Sequence, residues 1–437
     1  MSKWEMVRLG DVCEFINGDR GVNYPSSNDF CESGVPFINA GHLKNDTISF
    51  ENMNYISEQK YNELGSGKIK NGDLLYCLRG SLGKQAIVKG VDKGAIASSL
   101  VIIRPQNVKT SYLRYCMKTN MVFEQQMKAN NGSSQPNLSA SSVKNYVIPL
   151  PPRSIQQKIA DVLDRTSALI EKRKSQIEKL NLLIKSQFIE MFGDPVIDSK
   201  AWGAKPLNDY LVGIRYGTST PPPYSESGFA FIRATNIKQG RVIDNGMKYI
   251  SEENGEKIEK CRLNGGELII VRSGVNTGDT CVVPMKYAGH FAGYDIIVET
   301  APSKLDAVFL NELLNTSYMQ LVVKPLTARS AQPHINAEQV RSLPIIQAPL
   351  PLQTRFADFV RQVDKSKFAL QRALDELDLL YKSLMQKCFN TETTQTACEN
   401  EIDKRLKMVQ SITEIIPSDI DVDAIRAERI AKRGLLE

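Results

Sequence analysis

The stretch NGSSQPNLSASSVKNYVIPLPP, residues 131–152, indicates how the chain is organised, because a similar pattern of residues recurs later in the sequence. Residues 328–351 read ARSAQPHINAEQVRSLPIIQAPLP, and Gln135-Pro136 of the first stretch reappears there as Gln332-Pro333. Each stretch is typical of a polar loop that leads into a short apolar strand and then a proline stop. Two copies of one such segment indicate a duplicated chain.

The duplication extends over most of the 437 residues. The offset between copies is nearly the length of a whole domain, which indicates a tandem duplication and not a solenoid of short repeats. Matched positions are mostly apolar, glycine or turn residues, whereas the polar residues between them differ, so the copies share a scaffold and carry different surfaces. The matched pairs include Trp4 and Trp202, Leu9 and Leu207, Phe37 and Phe231, Tyr55 and Tyr249, Gly72 and Gly266, Arg79 and Arg272, Val143 and Val340, and Ala160 and Ala357.

Each copy combines a β-rich part with a long helix. Short β-rich runs separated by turns fill about 150 residues, and one helical stretch, 111–128 or 306–323, precedes each Gln-Pro loop. This mixture predicts an α+β fold with two similar domains. The first long helix is expected to begin at Ser154, with Gln157 completing a capping box, and to stop at Gly193.

Apolar residues recur along both long helices in alternating steps of four and three, a pattern typical of a coiled coil. We expect the two helices to pair with each other; the alternative is that each packs on its own domain. The residues predicted to form the helix–helix seam are Ile159, Leu163, Ile177, Leu180, Ile184, Val360, Val363, Leu370, Leu374, Leu377 and Leu384.

The chain is thus predicted to contain a β-rich domain over residues 1–152, a long helix over 153–193, a second β-rich domain over 194–351, a second long helix over 352–390 and a tail over 391–437. The tail is predicted to contain a helix over 401–412. It has no counterpart in the first copy, and partner binding and disorder both stay open for it.

Composition narrows the class of protein. The net charge of +6 permits binding to a polyanion without requiring it. The chain lacks a signal peptide's apolar run, and no stretch reaches the roughly 18–20 apolar residues of a membrane span. Eight cysteines without a CxxC pair indicate free thiols in a reducing compartment, so we expect a cytoplasmic protein. Three scattered histidines predict no metal site.

Two short stretches resemble catalytic or phosphate-binding motifs, but each lacks a residue that the motif needs. The TPPPY stretch, residues 220–224, resembles an amino-methyltransferase motif, but Pro221 stands where a hydrogen-bond acceptor is needed. The GSGK stretch, residues 65–68, lacks the leading glycine and the final Ser or Thr of a phosphate-binding loop. The sequence therefore predicts a non-catalytic chain without a cofactor of its own.

The loops around the repeated glycines carry side chains that read base edges and hold phosphates, although turns are also rich in Gly, Asn and Ser. The candidate DNA-binding residues are Arg79, Ser81, Lys84, Ser133, Ser134 and Gln135 in the first copy, and Arg233, Asn236, Lys238, Arg272, Asn276, Thr277, Arg329 and Gln332 in the second.

In the order of its parts, the chain resembles the specificity subunit of type I restriction-modification systems. The resemblance covers residues 1 to about 390. It rests on Trp4 with Leu9-Gly10-Asp11, on the Gln-Pro loop, on IPLPPRSIQQKIADVLD at 148–164 and on QFIEMFGDP at 187–195. It also rests on the recurrence of these parts, in the same order, in the second copy.

The resemblance implies that the helices lie antiparallel and that each β-rich domain is a target recognition domain. Each domain would read one half of a split, asymmetric site in double-stranded DNA, and the helices would set the unread spacer. Two methyltransferase subunits would dock on this scaffold, and motor-nuclease subunits would join the complex. A stand-alone DNA-modifying enzyme and a protein–protein scaffold that reads no DNA remain the alternatives.

Overall fold

The computed structural model of the protein describes residues 4–130, 136–195, 197, 199–327, 333–390 and 395–415. Contacts divide the chain into two compact units. The first contains the described parts of residues 1–175 and 371–420, and the second contains those of 176–370. Each unit therefore holds one β-rich domain together with half of each long helix.

A four-stranded antiparallel sheet forms the centre of each β-rich domain. Its two inner strands are almost wholly buried because they are runs of apolar residues covered on both faces. In sheet order the strands are Cys13–Asn17, Leu100–Pro105, Leu74–Cys77 and Gln85–Ile87 in the first copy, and Leu211–Tyr216, Ile296–Thr300, Leu268–Ile270 and Thr280–Val282 in the second. The two copies thus have the same central topology.

Successive side chains of these strands point to opposite faces of the sheet, so each strand contributes to two hydrophobic cores. Val101 and Ile103 enter the cluster that contains the long helices, whereas Leu100 and Ile102 pack beneath the second sheet of the domain. That second sheet consists, in order, of Ala95–Ile96, Val35–Ile38, Asn54–Ile56 and Phe30–Cys31, and in the other copy of Lys248–Ile250, Phe229–Ile232 and Phe291–Ala292.

Two-stranded ribbons complete each domain. The pairs are Glu5–Arg8 with Val147–Leu150, Leu43–Lys44 with Thr47–Ile48, Ala204–Pro206 with Pro344–Ile346, and Ile237–Lys238 with Arg241–Val242. The first and third of these pairs connect the beginning of each β-rich domain to the strand that follows its Gln-Pro loop.

The helical stretch before each Gln-Pro loop is two helices and not one. Thr119 and Thr316, 197 residues apart, separate the two helices. Each hydroxyl donates to the carbonyl three residues earlier, at 2.8 and 2.7 Å. It also accepts from the backbone N–H three residues later, at 3.4 Å in both copies, and so caps the second helix. The short helices are Leu9–Val12, Glu58–Glu63, Thr110–Cys116, Asn120–Ala129, Ala140–Lys144, Glu252–Glu256, Ala307–Leu314, Ser317–Thr327 and Ala337–Arg341.

The long helices are Arg153–Phe192 and Leu350–Cys388, of 40 and 39 residues. Gln157 does not form the predicted capping box, since its amide donates to Asp161 at 2.7 Å one turn further on. Among the residues expected in the seam, Ile177 is only half-buried. The others are buried, namely Ile159, Leu163, Leu180, Ile184, Val360, Val363, Leu370, Leu374, Leu377 and Leu384.

The two helices run antiparallel, because opposite halves meet within each unit. In the first unit, Ile155 and Ile159 of the first helix share a core with Leu384 and Cys388 of the second. In the second unit, the last turns of the first helix meet the first turns of the second. Four phenylalanine rings pack there with centroids 4.7–5.9 Å apart. The rings are those of Phe188, Phe192, Phe309 and Phe356.

The tail contains a helix that is longer than predicted, Gln395–Ile415. Its apolar residues Cys398, Ile402 and Val409 are buried in the first unit's core beside both long helices. Lys158 of the first long helix pairs with Glu399 at 3.2 Å. This helix therefore belongs to the folded first unit; the tail residues 391–394 and 416–437 lie outside the described residues.

A buried glutamine joins each β-rich domain to its own long helix. Gln156, in the first turn, accepts from the backbone N–H of Lys109 at 2.8 Å and donates to the carbonyl of Pro151 at 2.7 Å. Gln353 makes the same two bonds 197 residues later, at 3.0 and 2.7 Å. Since both side chains are almost fully buried, losing either would leave backbone groups unpaired away from water.

Charged side chains reinforce the same junction in the first unit. Arg114, on the helix before the Gln-Pro loop, pairs with Asp164 of the first long helix. Its Nε lies 3.8 Å from Asp46 on the small hairpin, which also pairs with Lys118. A negative hairpin and a negative long helix therefore flank a positive short helix.

In the second unit, the hairpin and the short helix carry charges of the opposite sign. Arg241 lies on the equivalent hairpin, and its side chain is 28% exposed. It pairs with Glu312 of the short helix at 2.7 Å and with Asp364 of the long helix at 2.9 Å. The hairpin is now positive and the short helix negative, so the charges of each β-rich domain match those of its own long helix.

Within the described ranges, no helix is both long and apolar enough to cross a bilayer. The same residues contain no group of His, Cys, Asp and Glu side chains arranged to hold a metal ion. The eight cysteines are free thiols, and seven of them are buried.

We expect Gly217→Ala to destabilise the second unit. A Cβ on Gly217 would lie 1.6 Å from the carbonyl oxygen of Gly293, so the end of strand Leu211–Tyr216 would have to move. Overpacking of this kind costs about 3 kcal/mol or more at its severe end. The urea midpoint of the full-length chain should fall accordingly.

Gly213 of the same strand provides the matched control. A Cβ there would meet its nearest neighbour only at 4.0 Å, so Gly213→Ala should leave the midpoint unchanged or raise it slightly. Equal midpoints for the Gly217 variant and the wild type would show that the close approach to Gly293 does not exist in solution.

Candidate nucleic-acid interface

In the first copy, Arg79, Ser81 and Lys84 are exposed on the loop between strands Leu74–Cys77 and Gln85–Ile87. Backbone bonds connect this loop to the end of the Gln-Pro loop. The N–H of Gly80 donates to Pro136 at 3.2 Å and the N–H of Leu138 donates to Leu78 at 2.8 Å, and a β-bridge joins the residues between them. The structure thus brings together two of the loops selected from the sequence.

A third loop, after strand Cys13–Asn17, reaches the same end of the sheet. The guanidinium of Arg20 donates to the carbonyl of Ser98 at 3.3 Å, and Arg20 is exposed. Asp19 holds the loop by accepting from the backbone N–H groups of Gly21 and Gly65, which lowers the pKa of its carboxyl. Arg20 is a candidate that residue-type reasoning left out.

The second copy repeats these backbone contacts but not the side chains. The N–H of Gly274 donates to Pro333 at 3.3 Å, and the N–H of Ile335 donates to the carbonyl of Arg272 at 2.9 Å. Arg272 therefore occupies the position of Leu78, not that of Arg79. The sequence alignment of Arg79 with Arg272 is wrong by one residue, because the two loops differ in length by one.

Arg272 lies in a stack of aromatic rings at the end of the sheet. Its guanidinium carbon is 4.4 Å from the ring centroid of Tyr216 and 4.5 Å from that of Tyr294. Its Nε donates to Nε2 of His334 at 3.2 Å, and burial together with the charge of Arg272 lowers the pKa of that imidazole. The guanidinium plane is therefore fixed before any ligand arrives.

A buried carboxylate supports this stack. The backbone N–H of Arg272 donates to Asp295 at 3.1 Å. In the first copy the equivalent N–H, that of Leu78, donates to the carbonyl of Ser99. The turn before the next strand is one residue shorter in the second copy, and there a side-chain oxygen is the acceptor in place of the backbone carbonyl. Burial raises the pKa of Asp295 to about 6, although the bond and the charge of Arg272 oppose the rise.

The remaining candidates of the second copy lie around this cluster with different degrees of exposure. Thr277 is half-buried and its hydroxyl donates to the carbonyls of Gly274 and Pro333, so it holds the loop together. Asn276, beside it, is also half-buried. Arg233 is half-buried, and its guanidinium donates to Gly246 at 2.7 Å.

The structure does not support Asn236 as a DNA contact. Its side chain is fully buried, accepts from the N–H of Arg233 and donates to the carbonyl of Ile243. His42 makes the equivalent bonds in the first copy, so this position shapes the turn. Lys238, by contrast, is exposed on the hairpin that packs against strand Thr280–Val282.

Five of the predicted contacts lie outside the described residues, namely Ser133, Ser134, Gln135, Arg329 and Gln332. Four residues that the sequence did not single out complete the cluster around Arg272, namely Tyr216, Tyr294, Asp295 and His334. One signal could have found Asp295: a charge stands in the second copy at a strand position that is leucine in the first.

Comparison with known proteins identifies the repeated scaffold. The family described as "Type I restriction modification DNA specificity domain" matches residues 1–180 and 218–377, which together exceed half of the chain. The two matched segments fall on the two copies of the duplication.

Individual relatives match along nearly their whole length. The MjaIX type I restriction enzyme specificity subunit of Methanocaldococcus jannaschii is 24% identical over 415 residues, which cover 88% of this chain and 92% of the relative. The EcoKI specificity subunit of Escherichia coli K12 is 21% identical and covers 91% of each. A crystal structure of the S subunit from M. genitalium has the same fold, with a TM-score of 0.61, 16% identity and coverage of 90% and 97%.

We expect Asp295→Asn to stabilise the second unit at neutral pH. The ordinary pKa of 3.8 rises to about 6 on folding, so the cost of ionising the buried group is absent below about pH 4 and complete above about pH 6. A shift of about two units corresponds to about 3 kcal/mol. Urea unfolding should show the gain over wild type growing between pH 4.5 and 7.5, up to this limit.

Asp209→Asn, at an exposed position of the same unit, controls for the change in net charge. It should alter the midpoint little, and equally at both pH values. A stability difference for the Asp295 variant that does not change with pH would contradict the buried, protonation-sensitive carboxyl.

Proposed function

We propose a function from the premise that this chain belongs to the family of type I restriction modification DNA specificity domains. Each β-rich domain reads one half of a bipartite, asymmetric site in double-stranded DNA. The paired helices connect the two readers and set the separation of the half-sites. The chain thereby gives sequence specificity to methyltransferase and nuclease subunits that carry out the chemistry.

The observation that carries this proposal is the contrast between the two copies. They share the topology of the central sheet, the glutamine junction and the backbone bonds at the end of the Gln-Pro loop. At the same end of the sheet, however, the first copy presents Arg20, Arg79 and Lys84, and the second presents Arg272 between two tyrosines. One scaffold with two different polar surfaces suits two unlike half-sites.

The long helices carry features suited to partner subunits. Leu182 and Ile189 lie seven residues apart on the first helix and are 55% and 46% exposed, and Phe368 of the second helix is 65% exposed. Since seven residues are close to two helical turns, the first two lie on one face. We assign these apolar positions to the docking of two methyltransferase subunits, through which motor-nuclease subunits join.

The chain itself is proposed to be non-catalytic and to bind no cofactor, because the relatives it matches are specificity subunits. The alternative of a stand-alone DNA-modifying enzyme requires methyl transfer or strand cleavage by the isolated chain. The alternative of a protein–protein scaffold requires that the assembled complex show no sequence preference on DNA.

Methylation mapping tests the proposal directly. The full chain would be expressed with its methyltransferase subunit in a bacterial host that lacks adenine methylation, and modified adenines would be located by genome sequencing. We expect one split, asymmetric motif with a fixed spacer. Soluble, associated subunits that leave the genome unmodified would contradict DNA reading and would favour the scaffold alternative.

Two lysine variants distinguish the loss of a phosphate contact from a general effect of lower net charge on DNA binding. Lys84 precedes strand Gln85–Ile87 at the reading end, whereas Lys89 follows the same strand at the other end, and both are exposed. Lys84→Ala should weaken binding of the methyltransferase complex to a duplex that carries the mapped site. The slope of log K against log salt should fall by about 0.9 if one phosphate contact is lost.

Lys89→Ala removes the same charge from the same domain and should leave both the affinity and the salt slope at wild-type values. Fluorescence anisotropy at several salt concentrations measures both quantities. Equal effects of the two variants would place the DNA elsewhere on the first domain.

A further inference from the structure

We propose that Arg272 reads a guanine in the half-site recognised by the second β-rich domain. This inference rests on the proposed function and assigns a chemical role to one residue within it. Its basis is the cluster around Arg272, which lies where the first copy has only apolar or small, uncharged polar side chains.

Five positions have changed together between the copies. Strand register and the shared backbone bonds align them, and the residues of the first copy are Asn17, Leu78, Ser99, Leu100 and Asn137. Their counterparts in the second copy are Tyr216, Arg272, Tyr294, Asp295 and His334. Leu78 is 1% exposed and needs no partner. In the second copy the arginine side chain contacts Tyr216, Tyr294 and His334, and Asp295 accepts from its backbone N–H. This shared cluster points to a role that leucine cannot fill.

The cluster holds the guanidinium at the surface in one orientation. Tyr216 and Tyr294 are 38% and 40% exposed, so the stack faces solvent and is not part of the core. The side chain of Arg272 is thus ordered before binding. Little conformational entropy is therefore lost when it contacts DNA.

The donors of Arg272 are only partly used. Nε donates to His334, while the two terminal nitrogens donate to no acceptor among the described residues. Arg262, in the same domain, also stacks on two rings, those of Phe229 and Phe291. Its donors, however, are committed to Glu259 and to the carbonyl of Gly289. Arg262 is a structural arginine, and Arg272 keeps two parallel donors for a ligand.

Two adjacent donors in one plane fit two adjacent acceptors. In the major groove, guanine presents N7 and O6, both acceptors, whereas adenine presents an acceptor and a donor. A guanidinium has no acceptor, so guanine is the base it matches. A DNA phosphate also offers paired acceptors, and the two sources differ in outcome: loss of a base contact relaxes one position of the motif, and loss of a phosphate contact weakens all sites alike.

The test is methylation mapping of the full chain with its methyltransferase subunit, using wild type, Arg272→Ala and Arg272→Leu. The leucine variant reproduces the residue with which the first copy folds, so it remains informative if alanine destabilises the loop. We expect a G·C pair at one fixed position of one half-site, and a loss of about 5- to 150-fold in preference for it in both variants. The other half-site and the spacer should be unchanged.

Arg262→Ala is the matched control: it removes a stacked arginine from the same domain and should leave the motif unchanged, even where destabilisation lowers the methylated fraction. The inference is overturned if the Arg272 variants keep the full wild-type motif, or if they weaken methylation at all sites without relaxing any position. Absence of any motif with the wild-type chain would instead contradict the proposed function, so the two failures are distinguishable.

Discussion

The buried glutamine at the start of each long helix is the constraint on which the rest of the structure depends. A side-chain amide has one acceptor and two donors, and here it joins the first turn of the long helix to the backbone of the short helix and of the exit loop. Gln156 and Gln353 make the same pair of bonds in the two copies. They fix each sheet to its helix, so the reading loops keep a defined position relative to the seam.

The duplication could be predicted from sequence because backbone requirements recur: a glycine, a proline or an apolar seam position must be kept wherever the scaffold is kept. Side-chain partnerships were harder to predict. The capping box assigned to Ser154 and Gln157 fails because the helix already begins at Arg153. The bonds that hold this turn to the domain are made by the neighbouring Gln156. The cluster around Arg272 was missed for a similar reason, since Tyr216, Tyr294 and His334 come from distant segments and meet only after the sheet has formed.

The junction charges show how two copies diverge while the scaffold is held constant. Arg114 meets a negative hairpin and a negative long helix, and Arg241 puts the positive charge on the hairpin instead. Neither arrangement can be exchanged one residue at a time, because a single substitution would leave a partly buried charge without its partner. The two junctions can therefore diverge only by coordinated changes, while the backbone they stabilise remains the same.

The proposed reading surface of the second copy shows that such divergence can lower stability. In the first copy a backbone carbonyl receives the N–H of Leu78, whereas in the second copy, where the turn is one residue shorter, Asp295 is the acceptor for the equivalent N–H. A backbone carbonyl carries no net charge, whereas a buried carboxylate is penalised when it ionises, as its raised pKa shows. The same change brings Tyr294 against Arg272 and completes the stack. Stability and the proposed specificity are therefore coupled at this turn, because the geometry that orders the arginine also buries the charge of Asp295.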